Sequence, residues 1–291
     1  MANLKEIKSR ITSISSTMQI TSAMKMVSAA KLRKAQDAIT QLRPYAQKLK
    51  EILGNVSGTL DLSENRFAEE RDIKNVLIIG VSSNRGLCGG FNNNITKKIK
   101  FLIKDEYSNK KVNVLTIGKK VNDAFKNGDL VIRPEGLGEA EDMFNDLTFE
   151  RVAEHAQYAM DAFVDGKFDK VIVVYNQFKN AAIQEVQAEQ LLPIEPSTEE
   201  NADKAGDYIF EPSKIEIVRD LIPKTLKLQL FKAVLDSQAS EHGARMTAMH
   251  KATDNASELK KDLTLEYNKA RQAAITNEIL EIVGGAEALN G

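Results

Sequence analysis

Apolar residues recur every three and four positions from Leu4 through Ile7, Ile11 and Ile14 to Met18. The same step returns from Met249 through Ala252, Ala256, Leu259, Leu263, Glu266, Ala270, Ala273 and Asn277 to Leu280. Such stepping keeps one stripe on one side of a helix. Sustained over about four heptads, it predicts a coiled coil rather than an ordinary surface helix. The helices are expected over Leu4 to about Gly58 and about Pro223 to Val283, or roughly 80 and 90 Å of helix at 1.5 Å per residue. Helices of that length outrun a globular domain of this size and must meet a partner at the far end.

The middle of the chain has another texture. Val76 to Val81, Val112 to Ile117 and Lys170 to Tyr175 are short apolar runs and predict buried strands. Phe91 to Tyr107, Lys119 to Lys126 and Phe149 to Val164 carry helical periodicity between them, and Ile183 to Leu192 alternates like an edge strand stopped by Pro193. Strand–helix–strand order with short connections implies a mainly parallel sheet with helices on its faces. The acidic stretches Asp61 to Asp72 and Glu195 to Asp207 read as a linker and a loop. Pro212 and Pro223 suit the first turns of helices, so a short helix is expected before the long one. The fold class is therefore α/β: long N- and C-terminal helices forming a coiled coil, with an inserted, mainly parallel, Rossmann-like domain. The expected boundaries are 1–58 for the first helix, 73–195 for the α/β domain and 212–287 for the helices that complete the coiled coil.

With 291 residues, 42% apolar and 28% charged, the chain can bury a substantial core. Its net charge of −1 is unevenly placed: residues 1–58 carry ten basic residues against three acids, and the remainder is acidic. A basic helix suits nucleic acid, anionic lipid or an acidic protein partner. No aromatic residue interleaves the basic ones before Tyr45, which favours an acidic partner helix or cavity over nucleic acid. One cysteine allows no internal disulfide and fits a reducing compartment. No run approaches the roughly 18 apolar residues of a membrane span. The helical step at Leu4 begins without a secretory apolar region, so the start reads as mature protein.

Candidate chemistry is sparse. The loop Ser82-Ser83-Asn84-Arg85-Gly86-Leu87-Cys88-Gly89-Gly90 follows the first strand, where phosphate-binding loops occur. Its spacing matches neither G-x-G-x-x-G nor G-x-x-x-x-G-K-[ST], so a tight turn is the expectation. Cys88 near a helix N-terminus is a candidate for a lowered pKa, but no base lies near it in sequence. His155, His242 and His250 are expected at a surface or seam edge. No metal or paired-carboxylate spacing recurs. The Ala/Met-rich run Ala23 to Ala30 is expected to face a core, opposite Ala244 to Ala256. Ile275, Ile279, Leu280, Ile282 and Val283 spread around their helix before Gly284-Gly285 ends it, which points to a partner's hydrophobic socket.

Four blocks of the chain resemble the gamma subunit of the F-type ATP synthase, in its bacterial form. They are Ile7-Lys8-Ser9-Arg10-Ile11 through Ala23-Met24-Lys25-Met26-Val27, then Arg85-Gly86-Leu87-Cys88-Gly89-Gly90-Phe91-Asn92. Ala252-Thr253-Asp254-Asn255-Ala256 follows, and Tyr267-Asn268-Lys269-Ala270-Arg271-Gln272 leads into Ile275-Thr276, Glu278, Glu281-Ile282-Val283 and Gly285-Ala286. The resemblance implies a non-catalytic rotor shaft without cofactors. It implies one copy inside a ring of three alpha and three beta subunits, with the epsilon subunit and the c-ring at its foot. It also implies a peripheral place on the cytoplasmic face of the bacterial inner membrane. By the same resemblance Met24 and Lys25 lie near the beta lever, and Arg271, Gln272, Thr276 and Glu278 hydrogen-bond the beta catch loop. Asn84 stands where the family often has Asp, and the regulatory cysteine pair of chloroplast members is missing. Two other classes make different demands. A structural tether would self-associate through the seam, and a nucleotide-dependent enzyme would bind nucleotide at Gly86–Gly90.

Overall fold

The structure, a computed structural model, describes residues 4–57, 66–138, 141–144, 147–194 and 214–290. The chain divides into two compact units, one of Met1–Ser28 with Met246–Gly291 and one of Ala29–Arg245. Two helices, α1 (Leu4–Ser57) and α5 (Lys214–Asn290), contribute to both.

The second unit is built on a five-stranded sheet. Its strands are β1 (Asn75–Val81), β2 (Lys111–Ile117), β3 (Val131–Ile132), β4 (Lys170–Phe178) and β5 (Gln184–Leu192), in spatial order β3-β2-β1-β4-β5. All neighbours pair in parallel except β5, which runs antiparallel to β4 at the edge. The central strand is buried on both faces, so Val76 to Ile79 have no exposed position to give to a polar residue. Leu77 and Ile79 pack with α4 (Phe149–Val164) and with Leu226, Leu230 and Val234 of α5. Val76 and Ile78 pack on the other side with α2 (Phe91–Phe101) and α3 (Lys119–Phe125).

The expected strands and helices are present, with local corrections. The short edge strand β3 and the 3₁₀ turn Asp142–Phe144 carry too little periodicity to be read from sequence. The helix expected to run to Tyr107 ends as α-helix at Phe101 and continues as one π-helical turn, Leu102–Glu106, closed by Tyr107 N–H donating to Leu102 O at 2.8 Å. No break separates a short helix from the long one within α5, and Pro223 lies inside it. An interior proline costs a helix about 3 kcal/mol. Its flanks Ile222 and Leu226 are buried, and that packing outweighs the lost backbone bond. Nor do Gly284-Gly285 end α5, which runs on through Ala286 and Ala288 to Asn290, since alanine restores helix propensity after the glycines. The expectations for Pro212, the loop from Glu195 and most of the Asp61–Asp72 linker lie outside the described residues.

Gly118 joins β2 to α3 at φ +95°, where a Cβ would stand 2.1 Å from the carbonyl oxygen of Ser82. That space belongs to the loop after β1, so the glycine lets two crossover connections touch.

In the first unit α1 and α5 run antiparallel. Lys25 Nζ lies 3.4 Å from His250 Nδ1, Thr253 Oγ1 donates to Thr21 Oγ1 at 2.8 Å, and Lys260 Nζ donates to Ser15 Oγ at 3.2 Å. Each advance along one helix is a retreat along the other. On α1 the protected positions are Leu4, Ile7, Ile11, Ile14, Met18, Thr21, Lys25 and Ser28, an unbroken three-four alternation.

Candidate interaction sites

On α5 the seam differs from the sequence expectation in phase. Met249, Ala256, Leu263 and Ala270 are protected as expected, and Ala252 is half-buried. The intervening places are taken by Thr253, Lys260 and Tyr267 rather than by Leu259 and Glu266, both of which are exposed. The seam is consequently more polar than the hydrophobic count implied, with hydroxyl and amine groups of one helix paired to those of the other. Leu259 borders a shallow groove with Ser9, Arg10, Ser13, Ile14 and Leu263. The Ala/Met run is corrected too. Of Ala23 to Ala30 only Ser28 is buried, Met24 and Lys25 are half-buried, and Met26 is 65% exposed.

Protection ends at Ala270. From Arg271 to Ala286 every residue is exposed. Ala273, Asn277 and Leu280, expected in the seam, stand outside it, because the register brings Leu4 opposite the stretch around Ala270 and α1 offers nothing further. Ile275, Ile279, Leu280, Ile282 and Val283 are 49 to 67% exposed. A helix apolar all round and exposed all round is a tip without its cover.

This geometry sorts the six candidate contact residues into two groups. Met24 and Lys25 sit in the polar part of the seam, and Lys25 reaches His250, which is itself 3.4 Å from Asp254. Arg271, Gln272, Thr276 and Glu278 lie on the uncovered tip, about twenty residues and so roughly 30 Å of helix away. Thr276 Oγ1 donates to the Gln272 carbonyl at 2.9 Å, so its hydroxyl is already engaged within the helix.

The glycine-rich loop is organised for packing. Ser83 N–H donates to Asn92 Oδ1 at 3.0 Å, Ser82 Oγ accepts from Val121 N–H at 3.0 Å, and the carbonyls of Arg85 and Gly86 both accept from Arg245 Nη2. Asn84 donates to the Glu141 carbonyl at 2.6 Å and accepts from Lys119 N–H at 3.2 Å. An amide can do both at once, whereas an ionised Asp only accepts. Cys88 is buried, and burial pushes its thiol above the ordinary range, contrary to the sequence expectation. Asn92 Nδ2 donates to its sulfur at 3.1 Å.

Arg245 is the functional-looking residue the sequence reading passed over. Its Nη1 donates to Glu241 Oε1 at 2.6 Å, with both side chains about nine-tenths buried. Glu241 is held above the ordinary carboxylate range by desolvation, against the pull of Arg245. The available signal was a pair of opposite charges four residues apart within an otherwise small and apolar run, Leu235 to Met249. The neighbouring His242 is also buried, pushed down to about 4 by desolvation and by the charges of Arg245 and Lys31. His155 is buried on α4, with its Nδ1 3.1 Å from the Arg151 carbonyl, and burial lowers its pKa. Only His250 keeps the expected exposed place, because burial of the other two depends on what packs over them. At Gly243 a Cβ would meet Ala181 Cα and Phe178 Cε2 at 3.3 Å, so α5 lies close against the β4–β5 turn.

A family model described as ATP synthase matches residues 3–289. The chain is 61% identical over 293 residues to the ATP synthase gamma chain of Christiangramia forsetii, and 61% identical over 292 residues to that of Flavobacterium psychrophilum. Both comparisons cover 100% of each chain. Among solved structures it is similar to a chain of the rotor of Euglena gracilis mitochondrial ATP synthase. The TM-score is 0.61 at 22% identity, over 94% of this chain and 98% of that one, a likeness of fold.

Proposed function

Because the chain belongs to the ATP synthase gamma-chain family, the non-catalytic central-stalk subunit of the F-type enzyme, we propose that its uncovered helix tip turns inside a ring of alpha and beta subunits and carries rotation to the beta catalytic sites. The observation that carries this reading is the stretch from Arg271 to Ala286, exposed on every side and apolar at five large positions. A sleeve of partner residues covers such a tip without demanding one orientation. The opposite end of the protein serves the epsilon subunit and the c-ring, with one copy per complex on the cytoplasmic face of the bacterial inner membrane. No helix among the described residues is long and apolar enough to cross a membrane, which suits peripheral attachment.

Coupling follows from asymmetry. One shaft meets three chemically identical beta subunits with three different faces, and each contact biases its subunit only by the difference in contact energy between conformations. Driving a two-state site from mostly one form to mostly the other takes about 5.5 kcal/mol of differential interaction. A few charge-bearing bonds at Arg271, Gln272 and Glu278, added to apolar contact at the tip, are of that order. Met24 and Lys25 serve the same purpose at the beta lever, about 30 Å down the helix.

The test is purification of the chain from its own membranes through an affinity tag inserted in the Asp61–Asp72 linker, with both helix ends left free. An ATPase complex with one copy of this chain per hexameric ring is the expected product. A homodimer or a lone monomer without ATPase activity overturns the proposal and favours a structural tether. Deletion of residues 284–291 is expected to be mild, with assembly retained and ATP-driven pumping reduced less than about threefold, because sleeve contacts are small and spread over many residues. Loss of assembly on that deletion would contradict the sleeve.

A further inference from the structure

Between residues 97 and 111 the chain carries six lysines against two carboxylates, although the whole protein has a net charge of −1. Helix α2 buries Phe91, Ile95 and Ile99, with Leu102 continuing the same face. That leaves Lys97, Lys100, Phe101 and Lys104 as an exposed outward stripe at helical spacing. Phe101 is 52% exposed, with Lys98 Nζ 5.3 Å over its ring. Lys97, Lys100 and Lys104 make no ion pair among the described residues. Glu106, one of the two nearby carboxylates, accepts from the Tyr107 hydroxyl at 2.9 Å. Lys111 pairs with Asn75 at the first residues of the parallel strands, which puts this patch at the end of the α/β unit away from the Ser82–Gly90 loop.

We infer that this lysine–phenylalanine face of α2 binds the anionic phospholipid headgroups of a membrane surface. The face is convex and offers neither a groove nor a free strand edge, so it lacks what an acidic peptide would need for seating. Ammonium groups on flexible stems suit a plane of phosphates, whereas bidentate capture of a carboxylate favours arginine, which this stripe lacks. An exposed aromatic ring among lysines is the composition that settles at a headgroup boundary. The inference goes beyond the shaft reading, and it gives the foot of such a shaft an electrostatic attraction to the bilayer that supports it.

The test uses the full chain and sedimentation with vesicles of phosphatidylcholine alone or mixed with phosphatidylglycerol. The chain is expected to bind the anionic vesicles selectively and to lose binding as salt rises. The double variant Lys100→Glu/Lys104→Glu should weaken vesicle binding at least about tenfold, and Phe101→Ser several-fold, with unchanged circular dichroism. Lys8→Glu/Lys34→Glu on α1 makes the same charge change elsewhere and should retain most of the binding. Absence of selective binding, or equal loss in the α1 variant, overturns the inference. So does an α2 variant that keeps vesicle binding while the purified complex loses a subunit, which would assign the face to an acidic protein. Assembly and vesicle binding are separate readouts, so failure of this inference leaves the shaft reading standing.

Discussion

Arg245→Met is expected to destabilise the α/β unit by about 3–5 kcal/mol at neutral pH, the cost of leaving a buried carboxylate without its cation. The guanidinium holds three acceptors at once: Glu241 Oε1 and the carbonyls of Arg85 and Gly86. Losing it strands all three. Desolvation already raises the Glu241 pKa, and removal of Arg245 takes away an opposing influence, so the carboxyl rises further. A group whose pKa is higher folded than unfolded binds more protons in the native state, so stability falls as pH rises through the window between the two values. The variant should therefore lie closest to the parent in acid and furthest from it at neutral pH. Urea unfolding across a pH series checks this, and a defect independent of pH would count against the buried pair as its cause. Adding Glu241→Gln should recover a large part of the loss at neutral pH. His242 opposes this trend in the parent: held near 4 in the fold, it withdraws stability as pH falls below about 6.5.

Arg271→Ala is expected to leave the fold intact and to damage coupling. Arg271 is exposed and has no ion pair among the described residues, so unfolding stability should change by no more than about 0.5 kcal/mol. A charge-assisted hydrogen bond to a beta subunit contributes about 1.5–3 kcal/mol, so its loss should lower ATP-driven proton pumping about tenfold or more. Thr276→Ala should do less, since the Thr276 hydroxyl is already satisfied by the Gln272 carbonyl. Pumping that is unchanged in inverted membrane vesicles would remove Arg271 from the contact.

The two predictions concern groups that the sequence disclosed unequally. Arg271 stood in a dense block of family-like residues and could be named at once. Arg245 belonged to no motif, and its importance comes from the loop carbonyls of residues 160 and 159 positions earlier in the chain. The same contrast separates His250 from His155 and His242: all three are single imidazoles in helical sequence, and burial distinguishes them only once other elements have packed.

What the sequence by itself determined was the element order, the parallel sheet with its antiparallel edge, and the existence of two long helices with an apolar tip. These rest on local periodicity and on turn residues, which act within a few positions along the chain. Tertiary structure decided the phase of the α5 seam, because Leu259 and Lys260 are neighbours on the helix surface and only the facing residue Ser15 selects between them. It also decided where pairing stops, since Ala270 is the last protected residue only because the first helix runs out beside it. Such choices depend on which surfaces meet, and a side chain's periodicity does not encode what stands opposite.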